Sequence, residues 1–361
     1  MTPQQMQHAI KHGEILQGFV AEDRDFSGLD LSGGSFIAMD LVGADFRGCN
    51  LHETQFNECL LVGAQFADAQ LQETLFNQSN MTGVQFHGCT LTDCLFNACQ
   101  LAESDFSETV QINSQFNQGD LSDSAFLLAS LHQCGFLAVM LDQALLRHIS
   151  AEQCTWMNVD LRRCDLHSSR FSLSTFYQCD LRGGDYREQC FERCQFTESQ
   201  LEQASFQRAN LQQSNFSQLS LRGVDFRGAR LTQALFSGSD LSDCRCQQAQ
   251  FNQAMFPHAT LDQVDFTQCQ LQRSVLHHAS ARGAIFQQAA LHYADFSWAM
   301  LDEADLRDAQ FCATRLHRAS QHHTQFSQRD GLIEQDDALF AAEAWQPQPR
   351  STPQEDHHES R

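Results

Sequence analysis

The stretch LHETQFNECLLVGAQFADAQLQETLFNQSN, residues 51–80, decides the fold. Its bulky apolar residues are Leu51, Phe56, Leu61, Phe66, Leu71 and Phe76, one at every fifth position, with leucine and phenylalanine alternating. Five residues advance an α-helix by about 500°, so this spacing makes no stripe on a helix. In a strand the odd step sends alternate members to opposite faces. The chain must therefore turn once per five residues, which is the mark of an internal repeat.

Outward from that stretch the register never slips. Steps of five from Phe26 to Phe326 visit 61 positions without an insertion or deletion. On the odd steps 23 of 31 residues are Phe, joined by Trp156 and Tyr186; the exceptions are Leu146, Leu166, Leu276, Leu306, Leu316 and Cys246. On the even steps 21 of 30 are Leu, with Met81 and four Phe; the exceptions are Gln111, Ala151, Ala281 and Gln321. The two tracks together hold 27 of the 29 phenylalanines, which excludes chance. A second track two residues earlier carries small residues: Ala44, Cys49, Thr54, Cys59, Ala64, and later Ala279 through Ala309. Small beside large at a fixed offset predicts a second inward position where space is short. The other three positions of each repeat are polar and should face water.

Phrases such as ADFRG (44–48), ANLQQ (209–213) and ADLRD (304–308) resemble the unit of the pentapeptide-repeat family, over about residues 24–328. The resemblance implies an all-β fold, a right-handed quadrilateral β-helix with four repeats per coil and about 15 coils. It also implies that Leu or Phe and the preceding small residue point inward. The sequence itself shows periods of five and ten; the coil of four comes from the resemblance. With four per coil, Phe occupies two opposite walls and Leu the other two, filling a square interior evenly. All 61 central side chains are expected to be buried.

Open strand edges at the ends of such a rod need covering. Residues 1–23 predict a helical cap: Thr2 as N-cap, Pro3 at the first helical position, Gln5 completing a capping box and Gly13 as the stop. Ile15, Leu16, Phe19 and Val20 are expected over the first coil. Residues 329–346 predict a second short helix starting at Asp336 or Asp337, with Leu339, Phe340 and Trp345 as its apolar residues. That helix is either a cap or a homodimer contact, the latter being what the resemblance to gyrase-binding family members implies. Residues 347–361 read as a disordered tail.

Net charge is −22, and it is uneven. Residues 1–146 hold 18 acidic residues against Lys11, Arg24 and Arg47, whereas 147–361 hold 27 acidic and 20 arginines. Binding nucleic acid directly through its phosphates is not expected. Apolar runs fall short of a membrane span and no signal peptide is legible, so membrane insertion is not expected and a bacterial cytoplasmic location is. Twelve of the 15 cysteines sit on the small inward track, where they read as small buried hydrophobes. Cys134 and Cys154 should stack on one wall in a geometry unsuited to a disulfide. The His277–His278, His322–His323 and His357–His358 pairs lack acid or thiol at ligand spacing, so no metal or other cofactor is expected. Without a phosphate-cradling loop or nucleophile elbow, the chain reads as non-enzymatic, with another protein as its partner.

Two surface patterns are candidates for that partner. Arg162, Arg182, Arg222 and Arg282 should share one edge, with Arg147, Arg187, Arg227 and Arg307 on the adjacent wall, a spacing suited to an acidic protein. Asp25, Asp45, Asp105, Asp165, Asp185, Asp225, Asp265 and Asp305 should line one corner. By resemblance to gyrase-binding members, that row implies a mimic of DNA phosphates. The helix followed by FSGLDLSGGSF (26–36) is similar to the opening of pentapeptide proteins associated with type VI secretion. A scaffold or adaptor rod, an accessory or effector-loading adaptor of that system, is the first expectation and a gyrase or topoisomerase binder of the quinolone-resistance type the alternative. Inward Gln111, Gln189 and Gln321, and the irregular coil around Trp156, have no function assigned.

Overall fold

The computed structural model describes residues 1–345; the tail expected over 347–361 and the last pair of histidines lie outside them. The fold is a β-solenoid of about 16 turns. Every rung from Leu16 to Phe326 is parallel and joins residues twenty apart: Phe56 pairs with Phe36 and Phe76, and Asp45 bridges Asp25 and Gln65. Backbone bonds run coil to coil, as from Phe46 N to Gln65 O at 2.8 Å and from Asn50 N to Leu29 O at 2.9 Å. The twenty-residue register fixes four walls. Wall A is centred on Phe36, Phe56 and Phe76, wall B on Leu41, Leu61 and Met81, wall C on Phe46, Phe66 and Phe86, and wall D on Leu51, Leu71 and Leu91.

Walls A and C face each other, and their rings form the core. Phe76 and Phe96 stack with centroids 5.0 Å apart, and Phe86 meets Phe96 edge to face at 5.8 Å. Such geometry follows from the ring quadrupole and adds to the gain from burying apolar area. The central side chains are buried except at the last coil, where Phe311, Gln321 and Phe326 are only half-buried. That exception corrects the expectation of full burial: the final coil has no complete coil above it.

The small track does more than fit. Its hydroxyl and thiol groups donate to a carbonyl 23 residues earlier: Cys49 Sγ to Phe26 O at 2.9 Å, Thr54 Oγ1 to Leu31 O at 3.0 Å, Ser114 Oγ to Leu91 O at 3.1 Å. Ser, Thr and Cys can therefore sit at this buried position with their polar group satisfied, beside the Ala that fills it elsewhere. Burial pushes the Cys59 thiol up to about 11 and Cys94 to about 12. Twelve cysteines are buried, Cys164 and Cys190 are half-buried, and Cys312 is exposed. A thiol reagent added to native protein is thus expected to modify Cys312 quickly, Cys164 and Cys190 slowly, and the rest, including Cys134 and Cys154, only after unfolding. Rapid native labelling of more than three thiols would contradict this packing.

Two residues beyond nearly every central one, Arg163 being the exception inside the rod, the chain turns through left-handed backbone, for example Gly48 at φ 65° and Gln118 at φ 54°. That conformation costs an ordinary L-residue roughly 1–2 kcal/mol. Glutamine ladders offset some of it: Gln213 donates to Gln233 and Gln233 to Gln253 at 2.8 and 2.9 Å, and Gln248, Gln268 and Gln288 form a second run.

The irregular coils are cases of coupled volume. Trp156 lies flat on Phe136 at 4.2 Å, in space left by Ala151, although its indole Nε1 finds no partner. Phe251 fills the room that Cys246 vacates, packing edge-on against Phe236 and Phe266. Tyr186 sends its hydroxyl to Leu161 O at 3.3 Å, and a Cβ on Gly184 would lie 2.3 Å from that oxygen. Near this group the regular backbone bonds between 141–143 and 160–162, and between 166–168 and 185–187, are missing among the described residues. Surface clefts of about 470 Å³ beside Met140 and Arg162 and 400 Å³ beside Cys164 and Arg187 open there. The inward glutamines have structural work. Gln189 Oε1 accepts from Ser169 N at 2.8 Å and its amide donates to Arg187 O at 3.0 Å. Gln111 donates to Thr109 Oγ1 at 3.0 Å, leaving its carbonyl oxygen unpaired, and Gln321 donates to Glu334 at 3.2 Å.

At the N-terminus, α1 spans Pro3–Lys11 with the full Thr2–Gln5 capping box, and buries Met6, Ala9 and Ile10. The ladder begins earlier than residue 24: Leu16 pairs with Phe36 and Val20 with Asp40. Of the residues expected over the first coil only Leu16 is buried; Ile15 and Val20 point to solvent because they occupy outward positions of that rung. The ladder also ends later than 328, where Leu332–Ile333 pair with Thr314–Arg315. The second helix, α2, spans Asp337–Ala344 with Asp336 as N-cap. It buries none of its apolar residues, contrary to a hydrophobic cap: Leu339 is half-buried, and Phe340 and Trp345 are 47% and 72% exposed. Charge holds it instead. Arg315 reaches Asp336 at 3.2 Å, Glu343 takes His317 at 3.1 Å and Arg318 as well, and Arg318 lies over the Phe340 ring at 5.4 Å.

Candidate interaction surface

The solenoid repeats each outward position every twenty residues, so a surface row is a column of corresponding residues. On wall B the expected arginine row exists, but it is wired to acids. Arg162 grips Asp160 at 2.6 Å and Asp180 at 3.2 Å; Arg182 grips Asp180 at 2.7 Å; Arg222 lies 3.6 Å from Asp240 and 3.2 Å from Asp243. The bonds to Arg162 and Arg182 hold the Asp160 and Asp180 carboxyls below the ordinary carboxylate value. Arg282 differs: its guanidinium contacts Met300 Sδ at 3.2 Å and forms no ion pair among the described residues.

Wall C holds the other two rows at once. Arg47, Arg187, Arg227 and Arg307 each bind, at 2.6 Å, the aspartate two residues before them, which is Asp45, Asp185, Asp225 or Asp305. Arg147 reaches across one coil to Asp165 at 2.5 Å. The acidic row and the second arginine row are therefore one row of pairs. Among the described residues only Asp25, Asp105 and Asp265 lack an arginine partner there, Asp105 having His87 at 3.8 Å. The row is also interrupted by Ala125, Leu145 and Arg245. Exposed pairs of this kind add little to stability, because water screens them, so they shape the surface more than they stabilise it.

Asp30, Asp302 and Asp305 carry a pH signature, the Ser320 hydroxyl and the His322 amide holding Asp302 down to about 2. Hydrogen bonds from Lys11 and Ser32 hold Asp30 down to about 2, and the Arg307 guanidinium does the same for Asp305. A depressed carboxyl adds stability above its ordinary value of 3.8 and loses it as pH falls towards 2. The melting temperature should therefore be flat from neutrality to about pH 4 and fall below it. Loss already at pH 6 would implicate histidines instead.

The histidines at 258 and 278 stack at 5.0 Å, and Trp298 continues the column at 5.2 Å. No helix among the described residues is long and apolar enough to cross a membrane.

Family comparisons match most of the solenoid. The model "Pentapeptide repeat region" covers residues 29–106 and 169–245. The model "Pentapeptide repeats (8 copies)" covers 144–183, 229–268, 269–308 and 291–328. Curated protein sequences give no match. Among solved structures, QnrB1, a plasmid-mediated fluoroquinolone resistance protein, is 19% identical over 60% of this chain and 90% of its own, at a TM-score of 0.30. HetL, involved in heterocyst differentiation regulation in the cyanobacterium Nostoc sp. strain PCC 7120, is 17% identical over 92% and 100%, at 0.18. A pentapeptide repeat protein from the Arabidopsis thaliana thylakoid lumen is 22% identical over 32% and 63%, at 0.20. Likeness at this level says nothing of function.

Proposed function

Because the chain belongs to the pentapeptide-repeat family, we propose that it is a non-enzymatic scaffold, a stiff rod that holds another protein along its charged walls. The observation that carries this reading is the wall B network, in which Arg162, Arg182 and Arg222 are held at one-coil and two-coil intervals by Asp160, Asp180 and Asp240. Guanidinium groups already fixed in direction lose little freedom on meeting an acidic partner. The opening FSGLDLSGGSF suggests an accessory or effector-loading adaptor of a type VI secretion system as the setting. Phe340 and Trp345, exposed beyond the last coil, offer an end-on contact for a second copy.

The second reading, a DNA-mimicking binder of gyrase or topoisomerase, is favoured by the aspartate column of wall C. Weighing against it, five of the eight aspartates in that column are neutralised by arginine on the same wall. Capture from host lysate with two variants separates the readings. Arg162→Glu/Arg182→Glu/Arg222→Glu is expected to lose the partner, and Asp25→Asn/Asp105→Asn/Asp265→Asn, which touches no arginine pair, to keep it. Loss in the aspartate set alone, with gyrase as the captured protein, would favour mimicry and sink the scaffold on wall B.

A further inference from the structure

Wall A is nearly uncharged as far as His278, and that is unexpected on a chain of net charge −22. Its outward positions run from Ile15, Gln17 and Gly18 to Val275, His277 and His278, and hold two charges, Glu58 and Glu198. Each other wall carries more charge: walls B and C hold acids along most of their length, and wall D holds acids up to Glu192 and arginines from Arg170 to Arg273. Wall A is also the rod's longest continuous sheet, ten parallel strands from Leu16–Gln17 to Gln195–Thr197. Its surface is made of amides and apolar groups. Asn97 donates to Asn77 Oδ1 at 2.7 Å and Asn77 to Asn57 at 3.4 Å, while Leu75, Leu95, Leu137, Met157 and Tyr177 lie among them, half-buried.

We infer that wall A docks a second copy of this chain, wall A against wall A, in a side-by-side dimer. Charge selects the occupant. Two copies that approach through wall B or C bring like-charged acidic surfaces together and through wall D bring mixed charges together, whereas wall A lets them meet with only Glu58 and Glu198 of each copy in the interface. Shape agrees, because a flat sheet is complementary to itself and sheets pack face to face at about 10 Å. Area is sufficient as well. Thirteen coil steps of about 4.8 Å and a width of about 10 Å give roughly 600 Å² per copy. Doubled, that reaches the lower bound of specific interfaces, about 1,200 Å². Asn77 uses both halves of its amide in the ladder, while Asn57 keeps its N–H groups and Asn97 its carbonyl oxygen for the facing copy. The dimer leaves walls B and C open on its outer sides, so it is independent of which partner they take.

Sedimentation of the full chain over a concentration series tests this. A dimer is expected that tightens as salt rises, since screening weakens the repulsion of the surrounding acids while the interface has no ion pairs to lose. Leu137→Arg/Met157→Arg, both at outward positions, should weaken it by at least about tenfold with an unchanged melt. Asn97→Lys/Asn117→Lys, placed elsewhere on the same wall, should do likewise. The end-on variant Phe340→Ser/Trp345→Ser should leave it intact. A monomer at every concentration and salt, or a dimer that survives both wall A variants, overturns the proposal.

Discussion

Replacing Phe96 with alanine is expected to destabilise the rod by about 3–5 kcal/mol, read from equilibrium denaturant unfolding. The ring is fully buried and sits between Phe76 and Phe116, with centroids 5.0 and 4.7 Å away, while Phe86 and Phe106 meet it edge-on from wall C. Truncation removes the transfer gain, opens a cavity that rigid neighbouring coils close poorly, and breaks the aromatic column. Because each coil contacts only its neighbours, the loss should concentrate in the amides of adjacent coils, visible as faster hydrogen exchange. A change below about 1 kcal/mol would mean that the column relaxes freely, contrary to close packing.

The interior of this fold was legible in the sequence because one residue type per wall is buried with no exceptions for long stretches. Leu51, Phe56, Leu61 and Phe66 announce the walls in order, and Cys49 and Thr54 announce the small positions. The exterior was less so, for a physical reason. Outward residues contact one another at a spacing of twenty, and the sequence displays only five and ten. Asp185 and Arg187, only two apart, look like members of two separate rows when each column is followed alone, although one guanidinium clamps one carboxylate. The same spacing hid the nearly neutral wall: Asn57, Asn77, Asn97 and Asn117 look unremarkable until they are placed one above another. Coupled substitutions were also illegible. Gly184 is explained only by the phenol of Tyr186, and Gln189 only by the Ser169 amide that it satisfies. The C-terminal helix misled for the opposite reason, since its apolar residues suggested burial, but Arg315, His317 and Arg318 dock its acidic ones instead.

All of these surfaces depend on a single claim, that the register of twenty persists along the rod and each wall keeps its identity from coil to coil. Two deletions test it. Removing residues 201–220 excises one coil: Leu221 then stacks on Leu181 and Phe226 on Tyr186, so every wall continues. Removing only 201–205 excises one repeat and rotates everything downstream by one wall. Phe206 then meets the leucines of wall B, Leu211 meets Tyr186 on wall C, and the nearly uncharged wall runs into wall D. Mismatch of large on small along the remaining coils combines cavities with overpacking, each about 1–5 kcal/mol per site. The direct measurement is the thermal melt of the two variants beside the parent chain. The account predicts that the twenty-residue deletion melts cooperatively within a few degrees of the parent, while the five-residue deletion melts far lower or loses the downstream half of its sheet signal. Equal melting of the two would contradict it.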